Sequence, residues 1–201
     1  MASPPTAVAN KFQRAPAGLG ARVFDLAIRA FRRALENGQT AARTLTIIDY
    51  SLPSTERRLW VLDLAHGKVL FRELVAHGRE TGENLARAFS NEPGSYRSSL
   101  GVFVTGATYV GKHGLSLRLH GLEPGINDRA EERAIVMHAA DYVSEDLALK
   151  QGRIGRSQGC PAVRPAVARK LIDTIRDGTL VFAYYPDAKY ERASEFVAAA
   201  Q

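Results

Sequence analysis

A single cysteine, Cys160, stands in 201 residues, so the chain forms no intramolecular disulfide and no cysteine-built zinc site. No apolar run is long enough to cross a bilayer, which excludes a transmembrane segment from these residues. Met1 to Gly20 lacks the continuous apolar stretch of a secretory signal; rich in Ala, Pro and Gly, it reads as a flexible leader over residues 1–20. Internal repeats, low-complexity segments and sustained basic runs are also missing. Lys and Arg outnumber Asp and Glu by 27 to 21, a formal net charge of +6 that attracts polyanions. The longest basic clusters, however, are the pairs Arg32-Arg33 and Arg57-Arg58, with no interleaved aromatics. Bulk charge is then the sole support for nucleic-acid binding, and no such partner is expected. The five histidines show no H-E-x-x-H spacing, so neither a metal nor another cofactor is expected.

What is present suits one buried core: 45% hydrophobic and 24% charged residues in a chain of this length. Ala21 to Asn37 has helical spacing, with Val23, Ala27, Ala30, Phe31 and Leu35 on one stripe, Phe24 and Ile28 beside it, and Gly38 as C-cap. Beyond it the period changes. Leu45–Tyr50 and Arg58–Ala65 read as strands, and His66-Gly67 turns the chain into a hairpin with Lys68–Ala76. Gly78 to Ser99 is a long polar loop, of a length that in compact domains is commonly functional. Leu100–Val104, Leu115–Leu119 and Ala134–His138 are further short strands, and Asp141–Ser157 is a second polar connection. Pro165 opens a helix whose buried face is Val167, Leu171, Ile172 and Ile175, and Thr179–Tyr185 closes the set as a strand. These elements give a predominantly β, α+β single domain over residues 21–190, with residues 191–201 left as a tail.

Two residues stand out chemically. Cys160 lies in Gly155-Arg156-Ser157-Gln158-Gly159-Cys160-Pro161, a tight polar turn and neither an apolar strand nor a helix face, which favours a reactive thiol over an inert buried one. The glycines allow backbone N–H groups to turn inward as an oxyanion hole, and the helix start that follows favours thiolate. His138 ends the apolar strand Ala134-Ile135-Val136-Met137, where a ring projects from rigid backbone into a cleft; its ordinary pKa suits a general base. A structural histidine at a strand end is the competing reading. His66 falls in the hairpin turn and faces solvent, whereas His77, His113 and His120 sit beside glycines, from which the rings of His77 and His113 could reach a cleft.

A strand-end histidine, a loop, then Ser-x-Gly-Cys resembles the signature of the L,D-transpeptidases, the YkuD-like family, and more closely its murein L,D-transpeptidase branch. The resemblance runs from about Leu45 to Tyr185. It includes Ser54, Arg58-Leu59-Trp60-Val61, Val75-Ala76-His77-Gly78, Phe89-Ser90-Asn91, Ser98-Ser99-Leu100-Gly101, Tyr109-Val110-Gly111-Lys112-His113-Gly114 and the cysteine turn, in order. It implies the β-rich YkuD-like fold with the cysteine in an open groove. Cys160 is then the nucleophile and His138 the base, while Ser157 and Gly159 shape the turn and the N–H groups near Gly159 and Cys160 bind the oxyanion. The better-known motif reads Ser-His-Gly-Cys; here Gln158 replaces that histidine, so proton transfer rests on His138, or on His113 or His120 if they fold nearby.

The implied substrate is a peptidoglycan stem peptide, with carbapenem β-lactams as covalent inhibitors and a periplasmic or wall-associated location. Export would require a signal outside this sequence. Stem carboxylates make Arg156, Arg153, Lys112 and Arg118 candidate ligands, with Tyr109, His113 and Gln158 lining the site. Three other readings compete: an L,D-carboxypeptidase or other cysteine amidohydrolase with the same pair, a non-catalytic wall-binding module, and a nucleic-acid binder with steep salt dependence.

Overall fold

A computed structural model describes residues 10–198. In chain order the elements are α1 (Ala21–Glu36), β1 (Thr44–Asp49), β2 (Leu59–Asp63), β3 (Lys68–Glu73), β4 (Gly101–Gly111), β5 (Gly114–Gly121), β6 (Val136–Ala139), α2 (Glu145–Gln151), β7 (Ala162–Val163), α3 (Pro165–Ile175), β8 (Leu180–Tyr184) and α4 (Ala188–Ala193). The eight strands make one mixed sheet in the order β3-β2-β1-β8-β4-β5-β6-β7. Only β1–β8 and β6–β7 pair in parallel. The α+β single domain expected from the sequence is the architecture found.

Inside the sheet, β1 and β8 run parallel as its third and fourth strands, with Leu45 opposite Leu180 and Ile47 opposite Phe182. Both strands are buried almost throughout, and such near-continuous apolar runs are what strands covered on both faces require. Helix α1 packs on this pair. It buries Val23, Phe24, Leu26, Ala27, Ile28, Ala30, Phe31 and Ala34, a broader face than the stripe predicts. Asn37 caps it, and Gly38 takes a φ of +71°, the left-handed conformation that costs glycine least. Helix α3 has Pro165 in its first turn and lays Ala168, Leu171, Ile172 and Ile175 toward the core; Val167, expected on that face, is only half-buried.

The differences from the sequence reading have local causes. The polar connection Asp141–Ser157 contains α2, whose residues are none of them buried, so it has no apolar stripe to reveal it. It rests on end chemistry: Ser144 Oγ accepts the Leu147 N–H, Glu145 and Asp146 occupy the first turn, and Gly152 closes it at φ +69°. Strand β4 does not stop at Val104 but continues to Gly111, with a register shift between Thr105 and Thr108.

Both ends of the chain are also more involved than expected. Residues 1–9 lie outside the described residues. From there the leader is packed: the Lys11 N–H donates to the Leu64 carbonyl at 2.9 Å, and Leu19 is buried. The supposed tail contains half of α4, a helix capped by Asp187, and then sinks Phe196 and Val197 into the core.

Candidate active site

Strand β6 carries His138 and pairs with β7, which Cys160 precedes; His138 stands opposite Ala162. Both side chains line one cavity of about 600 Å3. The remaining wall includes Tyr96, Tyr109, Lys112, His113, Arg133, Tyr142, Arg156 and Gln158. Arg79, Lys112, Arg133 and Arg156 border it, and no Asp or Glu does among the described residues. A carboxylate-bearing ligand is therefore attracted by the walls themselves.

Cys160 is half-buried against the entry of β6. Its Sγ accepts the Val136 N–H at 3.5 Å and donates toward the Ala134 carbonyl at 3.6 Å. Burial pushes the thiol pKa up, while the Val136 N–H and the Arg133 charge pull it down. The sequence reading placed the helping positive charge at the following helix, but α3 begins beyond β7 and the polar hydrogen at sulfur is that of Val136.

The turn before the cysteine is fastened from inside. Ser157 Oγ donates to the Cys160 carbonyl at 2.7 Å and accepts the Gly159 N–H at 3.0 Å. Ser98 Oγ donates to the Gly159 carbonyl and accepts the Gly78 N–H, both at 3.0 Å. Gly159 sits at φ +126°, and a Cβ there would come 2.8 Å from the Arg97 carbonyl oxygen, so only glycine fits. The Gly159 N–H is thereby occupied and cannot serve an oxyanion, contrary to the sequence expectation. The Cys160 N–H has no partner among the described residues.

His138 is 3% exposed, and its Nδ1 lies 2.8 Å from the Ala139 carbonyl. A carbonyl only accepts, so Nδ1 carries the proton and Nε2 is left with its lone pair. Burial lowers the pKa of this histidine, the Ala139 contact works against that, and His113 lowers it further. The His113 ring, from the β4–β5 turn, stacks on His138 with centroids 4.4 Å apart.

The other expected residues separate by place. Gln158 is exposed and lines the cavity, as do Tyr109, Lys112 and His113. Arg156 reaches it too, but is paired with Glu83 at 2.7 Å and bonded to the Arg79 and Gly82 carbonyls. Arg153 pairs with the same Glu83, Arg118 packs over the Tyr109 ring, and neither borders the cavity.

His120 pairs with Glu131 outside the cavity, and His66 is exposed. His77 is buried away from the cleft: Arg58 donates to its Nδ1 at 2.7 Å, and its Nε2 faces the Gly82 carbonyl at 3.2 Å. Burial first and the Arg58 charge second lower its pKa to about 4. Of the histidines allowed as alternative bases, only His113 is at the site.

Sequence reasoning missed Arg133, Arg79, Tyr96 and Tyr142. Arg133 lies three residues before the strand that carries His138, but its partners are all in the 90–99 segment, a pairing no spacing discloses. The loop 78–99 is a fastened wall: Arg133 binds the Ser90 and Arg97 carbonyls and the Ser99 hydroxyl, Asn91 Nδ2 donates to Asp128, and Arg79 lies 4.0 Å over the Tyr96 ring.

Among solved structures the chain is similar to an L,D-transpeptidase from Mycobacterium smegmatis, at 16% identity over 72% of this chain and 59% of that one, with a TM-score of 0.43. It is similar to an L,D-transpeptidase from Stackebrandtia nassauensis at 15% identity, over 81% and 68% of the two chains, again with a TM-score of 0.43. A third, LdtMt1 in complex with imipenem, is 14% identical over 71% of this chain and 59% of that one, with a TM-score of 0.43. The chain thus spans less than two thirds of the first of these. No curated protein matches it. A family model for the L,D-transpeptidase catalytic domain matches residues 16–184, which takes in the sheet from β1 to β8, the His138 strand and the Cys160 turn, and the chain belongs to that family.

Proposed function

We propose that this protein is a peptidoglycan L,D-transpeptidase with Cys160 as nucleophile and His138 as general base, working in the periplasm or outer wall. One observation carries the reading: Cys160 and His138 share a cavity, and the Ala139 carbonyl holds the His138 Nδ1 proton so that Nε2 is basic. Nε2 takes the thiol proton, and the thiolate attacks the carbonyl of the L-centre of the diamino acid in a tetrapeptide stem. The tetrahedral oxyanion is met by the unpartnered Cys160 N–H. His138 returns the proton to the leaving D-Ala amine as the C–N bond breaks, which leaves a thioester on Cys160. An incoming amine, its proton taken by His138, displaces the thiolate and forms the cross-link. Water in the same position gives the stem tripeptide acid instead. Ser157 and Gly159 hold the turn, while Arg156, Lys112, Tyr109, His113 and Gln158 border the stem.

A carbapenem tests this, since its strained carbonyl needs the same thiolate and base. Intact mass after incubation with imipenem should show a one-to-one adduct, absent in Cys160→Ala and formed at least tenfold more slowly in His138→Ala. A folded wild type that takes up no imipenem rejects the assignment, and leaves another cysteine hydrolase or a wall-binding module.

A further inference from the structure

Among the described residues Arg133 forms no ion pair with an acid. Its guanidinium donates to the Ser90 carbonyl at 2.7 Å, the Ser99 hydroxyl at 2.5 Å, the Ser95 hydroxyl at 3.3 Å and the Arg97 carbonyl at 2.5 Å, all neutral oxygens. Among the described residues no carboxylate comes within ion-pair distance of it; the nearby acids Glu92 and Glu132 are taken by Arg129. A half-buried cation whose hydrogen bonds all go to neutral oxygens is costly, and its position shows what it faces. It lines the same cavity as Cys160, and a Cβ built on Gly159 would lie 3.5 Å from its Nη2. Its backbone leads directly into Ala134 and Val136, the two residues that contact Sγ.

We propose that Arg133 is a positioning residue whose guanidinium, fixed by the 90–99 segment beside Gly159, supplies the counter-charge that keeps Cys160 reactive as thiolate. The inference rests on Cys160 being the nucleophile. It also gives the wall loop a chemical purpose, because the four oxygens that orient the guanidinium all belong to that segment. Burial opposes the charge on Arg133 and the Cys160 sulfur favours it, which agrees with the placement. Two simpler roles make different predictions. A purely structural tie survives replacement by a neutral hydrogen-bond donor. A ligand for a substrate carboxylate alters substrate binding and leaves the thiol untouched.

Because Cys160 is the single cysteine, iodoacetamide alkylation followed by intact mass reads its thiolate fraction directly. The rate is measured against pH in wild type, Arg133→Gln, Arg133→Lys, Ser99→Asp and Ser99→Asn. Arg133→Gln removes the charge; Ser99→Asp neutralises it while leaving the arginine in place, and Ser99→Asn controls for the substitution. The midpoint should rise by about one pH unit in Arg133→Gln and Ser99→Asp, which slows alkylation about tenfold below it, and stay near wild type in Arg133→Lys and Ser99→Asn. Should Arg133→Gln not fold, the two Ser99 variants decide alone. Midpoints that do not move, or Ser99→Asn moving as far as Ser99→Asp, overturn the proposal. A wild type that shows this pattern but no imipenem adduct sinks the transpeptidase reading and leaves Arg133 its role; an adduct with unmoved midpoints does the reverse.

Discussion

At the scale of residues, the site depends on small groups that hold a turn. Ser157 satisfies the Gly159 N–H and the Cys160 carbonyl, so Ser157→Ala leaves two buried backbone groups unpaired. Losing them should cost about 1–3 kcal/mol, and imipenem acylation should slow by more than the stability loss explains; denaturant melts and adduct rates measured together check both. His77 gives a pH signature. Its pKa in the fold is about 4, against 6.5 for the free side chain, so between those values the unfolded chain binds a proton that the native state refuses. Stability therefore rises with pH across that window and is lost on acidification, by roughly 3 kcal/mol from this group. His77→Gln should flatten the slope of unfolding free energy between pH 6.5 and 4. An unchanged slope would mean that burial, with the Arg58 charge beside it, does not exclude the proton from His77. Cys160 stands out in the sequence because its neighbours do not suit a core, and His138 because it closes an apolar strand. Arg133 and the occupied Gly159 N–H were illegible, since their partners lie far along the chain.

At the scale of elements, α1 and α2 are held by opposite means. Helix α1 is an apolar wedge on β1 and β8, with Phe31 only 2% exposed. Phe31→Ala should destabilise the protein by about 3–5 kcal/mol, the cost of lost burial plus a cavity, read from chemical denaturation. Helix α2 has no fully buried residue, packs only Ala148 against a core cluster, and relies on its caps. Ser144→Ala should cost about 0.5–2 kcal/mol, expressed as faster amide exchange across 145–151 and little change in Tm. The same contrast explains which helix could be read from sequence. Periodicity records burial, so α1 and α3 were legible. A helix with no fully buried residue writes little at its 3.6-residue period, and its marks were at its ends: Ser144, Glu145 and Asp146 at the start and Gly152 at the close. Strand β4 was half legible for a related reason: Gly101–Val104 is buried in the sheet, whereas the stretch past Thr105 projects with the β5 hairpin and alternates poorly.

At the scale of the molecule, residues 191–197 fold back onto α1 and the core. Arg29 donates to the Val197 carbonyl, Arg22 pairs with Glu191, and Phe196 is fully buried. Ending the chain at Ala193 removes Phe196 and Val197 from the core and should lower Tm by several degrees or more, although neither residue is near the cavity. A truncation that melts like the full chain would show that this packing contributes little. The sequence by itself determined the α+β class, the buried stripe of α1, the strand character of β1 and β8, and the choice of Cys160 and His138 as candidates. Each of these follows from local pattern: apolar period, turn chemistry, a thiol in a polar turn and an imidazole at a strand end. Only the tertiary structure decided that β6 and β7 pair so that His138 and Cys160 share a cavity. It also decided that His113 and not His120 stacks there, and that Arg133 stands at the cysteine turn with no ion-pair partner among the described residues. These relations join residues tens of positions apart. They depend on sheet order and strand register, which backbone pairing sets and side-chain pattern along one strand does not encode.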